Sequence, residues 1–309
     1  MKTTRILFFM ALVLSFGMQA EAKKVKLQYQ LKAGEQIKLE RYLTQEVVQE
    51  VAGQTNSTST QSTYTYDIKV NEVTPAGDFN LSVTMVAFSV ESKGAMGEIK
   101  YNSATDTVVA DFAKSMVLTM NETYTATVSP LGKISDIKAP AGLSEKIDKF
   151  VAGLDGAQMQ MAGSQAAASA GPEGFRKILE GMIIPFPEGG AQAKQPWELE
   201  SKMELVVNLQ TKTKYELVKS SKESNEIKVN GQITQDPDSP AIEMQGMNIT
   251  YELLGATEGT LELDPVSGLV TTGETTTAIS GAVSVESPQL PSPLSIPITI
   301  RSVEKLTKK

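Results

Sequence analysis

Tyr64-Thr65-Tyr66-Asp67-Ile68-Lys69-Val70, then Thr74-Pro75-Ala76-Gly77-Asp78, then Phe79-Asn80-Leu81-Ser82-Val83-Thr84-Met85: these three pieces decide the fold class. Apolar residues fall at every second position on both sides of a Pro-x-Gly turn. Successive side chains of a strand point to opposite faces, so this alternation places one face in a core and the other in water. Pro75 presets a negative φ and Gly77 tolerates a positive one, so the chain reverses and the second strand pairs antiparallel with the first.

The pattern continues in both directions. Val25, Leu27, Tyr29 and Leu31 alternate with Lys24, Lys26, Gln28 and Gln30, and Met116, Leu118 and Met120 precede Tyr124, Ala126 and Val128. Ser129-Pro130-Leu131-Gly132 and Asp264-Pro265-Val266-Ser267-Gly268 supply further turns. After Trp197, one parity is kept by Ile227, Val229 and Ile233, by Ile249, Tyr251 and Leu253, and by Leu294, Ile296, Ile298 and Ile300. Pro297, on the opposite face of the last run, removes a ladder donor and predicts an edge strand. At about 3.3 Å per residue the longest runs reach roughly 30 Å, long enough to curl around something.

The middle of the chain changes period. Leu143, Ile147, Phe150, Val151 and Leu154 follow helical spacing, and Pro172 opens a second helical run with Phe175, Ile178, Leu179 and Met182 on one face. Gly156 to Ala170, rich in Ala, Gly, Gln and Met, reads as a connector. Ile183-Ile184-Pro185-Phe186-Pro187 ends the helical region. The expected fold is mainly β (α+β): a long antiparallel, curved sheet or half-barrel wrapped around a central helical insert. Its segments are an N-terminal β half over 23–139, the insert and linker over 140–195 and a C-terminal β half over 196–309, with 23–309 forming one domain.

Residues 1–22 read as a secretory signal. Lys2 and Arg5 form a positive n-region, Ile6 to Phe16 is an apolar run too short to span a bilayer, and Ala20-Glu21-Ala22 offers an A-x-A cleavage site. The expected location is the periplasm or exterior of a bacterial envelope, soluble after cleavage and not membrane-spanning. The chain has no cysteine, so an exported domain must be held by its packed core. Its net charge of −7 gives no reason to seek nucleic acid or an anionic membrane.

The absence of cysteine and histidine removes Ser-His-Asp triads, thiol nucleophiles and thiolate zinc sites, and no P-loop or dinucleotide fingerprint follows a strand. Glycoside hydrolysis needs only two carboxylates, for which Glu198 with Glu200, or Glu258 with Glu262 and Asp264, are the candidates. The plainer reading of Glu198 and Glu200 is a solvated strand face. Asp236-Pro237-Asp238-Ser239-Pro240 has too few oxygens for a calcium loop and reads as a turn. No catalytic residue, metal or cofactor is expected. Methionine adapts to irregular apolar surfaces, so Phe150, Met159, Met161, Phe175, Ile178 and Met182 are the candidate contacts for an apolar ligand; core filling is the competing reading.

The mature start, Leu27-Gln28-Tyr29-Gln30-Leu31-Lys32-Ala33-Gly34-Glu35, resembles an uncharacterised family of secreted envelope proteins common in Bacteroidota and catalogued as a domain of unknown function. Gln45 to Gln54, Ile99-Lys100-Tyr101-Asn102-Ser103 and the stretch from Pro185 to Trp197 fit the same family, although Lys194-Gln195-Pro196-Trp197 stands where a Gly-Asp-x-Trp is usual. The resemblance implies no activity and no catalytic residues. The architecture is also similar, at the level of fold, to the half-barrels of periplasmic lipoprotein carriers. The expected function is non-catalytic binding or carriage of a lipid-like or other apolar ligand. The alternatives are a structural or interaction module with a dry core, offering an envelope partner the sheet edge near Ile296 to Ile300, and a carboxylate-only hydrolase.

Overall fold

A computed structural model describes residues 24–309 apart from 52, 96, 111–112, 155–162, 164–169, 205–207, 238, 240, 245 and 290–291. The expected signal segment 1–22 and the candidates Met159 and Met161 lie outside the described residues.

Among the described residues, most of the alternating runs become the thirteen strands of one antiparallel sheet. The N-terminal half holds β1 (Gln36–Val51), β2 (Gln54–Val73), β3 (Phe79–Gly94), β4 (Gly97–Asn102), β5 (Thr123–Val128) and β6 (Ile134–Lys138). The C-terminal half holds β7 (Trp197–Glu204), β8 (Asn208–Ser220), β9 (Asn225–Gln235), β10 (Ile242–Met244), β11 (Met247–Leu263), β12 (Val270–Glu286) and β13 (Leu294–Lys308). The spatial order is β6-β5-β3-β2-β1-β13-β12-β11-β9-β8-β7, with β4 beside β3 and β10 beside β11. The chain therefore starts in the middle of the sheet, winds out to one edge, crosses to the other edge and winds back until β13 pairs with β1. The edges β6 and β7 do not pair among the described residues, so the sheet is not closed into a barrel.

The crossing between β6 and β7 contains α2 (Leu143–Ala152) and α3 (Pro172–Glu180); a single turn, α1 (Lys114–Val117), lies earlier in the chain. Pro172 occupies the first turn of α3, where its missing N–H has no partner to lose. Leu143, Ile147, Phe175, Leu179 and Met182 are buried in the same cluster as Ile68 and Val83 of β2 and β3 and Leu217, Ile227 and Leu263 of β8, β9 and β11. At about 1.5–3 kcal/mol each, these five side chains contribute roughly 8–15 kcal/mol, an upper bound of the same order as a domain's net stability. None of the described helices is long and apolar enough to cross a membrane.

Three readings from periodicity are corrected. Met116 to Met120 is not a strand: Met116 lies in α1 and only Met120 makes a bridge, to Met85. Val25 to Leu31 keeps its alternation, with Leu27, Tyr29 and Leu31 buried, but joins no ladder. Its backbone instead bonds to Ala191, to Pro130 and to Ser267 of the turn between β11 and β12. Pro297 does not mark an edge strand. β13 is central, paired with β1 from Ile298 to Lys308 and with β12 over Leu294 to Thr307; Pro297 falls just beyond the reach of β1, where a missing donor costs nothing. The edge proposed for partner pairing near Ile296 to Ile300 is therefore largely occupied.

Candidate functional site

The two faces of this sheet differ sharply in charge. On the outer face, lysines and acids form cross-strand ladders: Lys212 bridges Glu198 and Glu200, Lys214 reaches Glu198, and Lys305 pairs with Glu274. Glu91, Lys93, Glu98 and Lys100 form a similar cluster on β3 and β4. The Glu198–Glu200 pair is thus a salted, solvated strand face, with the Glu198 carboxyl held low first by its hydrogen bonds to Lys212 and Lys214. Asp264 serves its turn, accepting from the amides of Val266 and Ser267 and from the Ser267 hydroxyl. Asp236, buried at the end of β9, pairs with Lys202. Among the described residues no cluster of acids could hold a metal ion.

The other face, on which α2 and α3 pack, is almost free of charge. Along β1–β3, β7–β9 and β11–β13 its described charged residues are Arg41, Glu304 and Lys308, with Arg41 and Glu304 bonded to each other. Three zones follow one another down the strands. The first is the main core beneath the helices. The second is a row of small polar residues and glycine running straight across the sheet. In it Thr213 faces Gly231, Gly231 faces Thr257, Thr257 faces Thr277 and Thr277 faces Ser302. Ser302 in turn faces Gln45, Gln45 faces Thr60 and Thr60 faces Ser92. Hydrogen bonds join Thr257 to Thr277 at 2.8 Å, Thr60 to Ser92 at 2.9 Å and Gln45 to Ser302 at 3.4 Å. The third zone is apolar again: Leu209, Ile233, Leu253 and Ile279 are buried, with Tyr251, Ile298 and Ile300 half-buried against them.

The crossing segment is pinned over this face by phenols and an indole. The Tyr29 hydroxyl accepts from the Ile184 amide at 2.8 Å and donates to its carbonyl at 3.2 Å. Tyr124 donates to the Ala170 carbonyl at 2.7 Å, and Trp197 Nε1 to the Pro185 carbonyl at 2.8 Å. Burial pushes the Tyr124 and Tyr215 phenols up to about 12, and that of Tyr29 higher still, so all three stay protonated, and Tyr29 and Tyr124 keep their donated bonds.

Beneath residues 180–184 lies a cavity of about 180 Å³. Glu180 and Ile183 form its roof, Thr213, Thr257 and Thr275 its floor, and Tyr215 and Glu304 also face it. It is smaller than the roughly 300–1,000 Å³ usual for a whole small-molecule ligand. Burial raises the pKa of the Glu180 carboxyl, with Arg176 acting in the opposite sense.

Of the candidate ligand contacts, Phe175 stacks on Tyr124 with ring centroids 4.3 Å apart, and Phe175 and Met182 are buried in the main core. Phe175 and Ile178 line a void of about 30 Å³, room for about one water. Phe150 is half-buried at the end of α2. Phe150, Phe175, Ile178 and Met182 do not line the 180 Å³ cavity. The zones of the uncharged face escaped sequence reasoning because a row across a sheet exists only once the register is known. Its signal was present as Thr, Ser and Gly at the core-facing parity of strands that are otherwise Leu, Ile and Val.

Superposed over 91% of its length, the chain matches 25% of a lipovitellin chain, from a structure concerned with lipid–protein interactions in lipovitellin, with a TM-score of 0.52 and 12% identity. It thus spans about a quarter of that chain, and the likeness concerns the fold. An outer membrane channel from Pseudomonas putida F1 aligns with 91% of this chain and 97% of its own at 9% identity, but a TM-score of 0.24 carries no argument. No curated protein matches the sequence. The resemblance to a family of unknown function is met by a family model that covers most of the chain. The chain belongs to the family of unknown function DUF6263, whose model matches residues 76–270.

Proposed function

We propose that this protein is exported to the bacterial envelope and binds, without catalysis, a lipid-like or other apolar ligand against the uncharged face of its sheet. The observation that carries the reading is the segregation of charge. Strands that needed only to cover the helices could carry charge beyond them, yet the face stays uncharged to its far end, where Ile296, Ile298 and Ile300 are only half-buried. Apolar surface left partly open in this way is characteristic of binding sites.

Glycines support a sheet that curls around the crossing segment. A Cβ on Gly255 would come within 2.6 Å of the Ala278 carbonyl, and one on Gly259 within 2.7 Å of the Thr275 Cα. Glycine in a strand interior accompanies tight bends and close backbone approach. The likeness in fold to part of lipovitellin, a protein described by its lipid interactions, points the same way. The rival reading, an interaction module with a dry core, draws on the tight packing around Phe175, where only about 30 Å³ is empty.

Native mass spectrometry of residues 23–309 purified from a bacterial periplasm, with solvent extraction, separates the two. A stoichiometric adduct extractable as lipid is the expected result. A clean apo mass from repeated preparations contradicts retained cargo and favours the interaction module.

A further inference from the structure

We infer that the ligand is an uncharged amphiphile, a single alkyl chain bearing a hydroxylated, non-ionic head, with the head over the threonines of the polar row and the chain along the isoleucines of β13. This rests on the apolar-ligand reading above and names its chemistry.

Length fits one chain. From Ile300 to Leu294 the strand advances six residues, about 20 Å at roughly 3.3 Å per residue. Half of a bilayer's hydrocarbon core, about 15 Å, is the depth one acyl chain fills. The stripe is continuous on that face, because Ile300 lies opposite Ile279 and Ile296 opposite Val283. The polar row begins at the next core-facing position, Ser302, and leads through Thr277 and Thr257 to the floor of the 180 Å³ cavity. That volume suits a small polyol head better than an acyl chain, as liquid water occupies about 30 Å³ per molecule. Head site and chain site therefore adjoin on one face, in the order an amphiphile requires.

Charge selects the head. The cavity meets two carboxyls, Glu180 and Glu304, while its guanidinium neighbour Arg41 is already committed to Glu304 through two hydrogen bonds. An anionic head would enter without a free counter-charge, and removing an unpaired carboxylate from water costs far more than removing a hydroxyl that keeps its hydrogen bonds. Threonine hydroxyls both donate and accept and rotate to suit, which matches a head made of hydroxyls or esters. A cationic head would find Glu304 already bonded to Arg41 and Glu180 exposed to water, so neither carboxylate repays the ammonium's lost hydration.

The test uses three probes with the same 18-carbon chain: monooleoylglycerol, oleate and oleylamine. Each is titrated below its aggregation concentration into delipidated mature protein at pH 8. The expected result is at least tenfold tighter binding of monooleoylglycerol than of either charged probe. Thr277→Val should weaken that binding at least threefold with the charged probes unaffected, whereas Thr276→Val, on the opposite face, should leave it unchanged. Equal or tighter binding of oleate or oleylamine overturns the inference and leaves the apolar-ligand reading standing. Binding of none of the three overturns both.

Discussion

Arg41 and Glu304, 263 residues apart in the chain, are joined by two hydrogen bonds, Nε to Oε1 at 2.7 Å and Nη2 to Oε2 at 2.8 Å. They sit on β1 and β13, the neighbouring strands that unite the two halves in mid-sheet. Burial pulls the Arg41 pKa down, and the bonds and charge of Glu304 more than offset it. Arg41→Met leaves a carboxylate unpaired on an uncharged face and is expected to cost about 2–4 kcal/mol in urea unfolding. The figure is below that of a fully buried pair because the two side chains remain 21% and 24% exposed. Arg41→Met combined with Glu304→Leu should recover most of the loss, since two apolar residues leave no orphan charge. A single variant within about 0.5 kcal/mol of the parent, the range of ordinary surface changes, would show that the pair is dispensable.

Glu180 supplies a pH signature. Its native pKa is raised by burial, so the native state disfavours the ionised form. That burden is absent below the unfolded carboxyl's pKa of about 4.3 and fully present above the raised native value. Glu180→Gln should therefore be more stable than the parent at pH 7 and equal to it in acid. Thermal melts across that interval would refute the assignment if the gap stayed constant with pH.

Asp264 shows the opposite sign. Its carboxyl is lowered mainly by the Ser267 amide, with the Ser267 hydroxyl and Val266 amide adding to it. The stability it lends is present above the unfolded pKa of about 3.9 and fades as pH falls through the lower native value. Asp264→Ala is expected to lose about 1 kcal/mol at neutral pH, the worth of a typical hydrogen bond, with the difference closing in acid. A loss that persists unchanged below the carboxylate range would assign it to turn geometry instead.

Two glycines separate curvature from turn strain. A Cβ on Gly259 would press on the Thr275 Cα at 2.7 Å, whereas Gly34, at φ +84°, has nothing within 4 Å. Gly259→Ala should cost about 1–3 kcal/mol, as overpacking does, and more if the bent strand cannot yield. Gly34→Ala should lose about 1 kcal/mol through its backbone alone. The larger fall in Tm is expected for Gly259→Ala; the reverse order would mean that the sheet relaxes there freely.

Alternation was a good guide to faces and a poor one to partners. It placed Tyr66, Ile68, Val83 and Leu81 correctly in the core, and the prolyl turns at Pro75, Pro130 and Pro265 separate the strands they were expected to separate. Helical spacing likewise identified α2 and α3. Strand order was not legible, because β1 and β13 meet through eleven register pairs that no local signal announces. The same ignorance misled the reading of Pro297, whose missing donor marks only the part of β13 beyond β1. Val25 to Leu31 alternates because it is buried on one side, and burial alone does not make a ladder. Of the candidate ligand contacts, Phe175 and Met182 are buried in the core, while Phe150 and Ile178 are half-buried. The threonine row became visible only when the register aligned residues from eight strands.

Photo-crosslinking shows whether a ligand lies on the uncharged face. A monoacylglycerol carrying a diazirine in its alkyl chain is bound, irradiated, and its adducts mapped by peptide mass spectrometry. Adducts are expected on Ile296, Ile298 and Ile300 of β13 and on Val283 of β12, all at core-facing parity. Adducts on Ser295, Pro297 and Thr299, or spread equally over both faces, would contradict binding on that face.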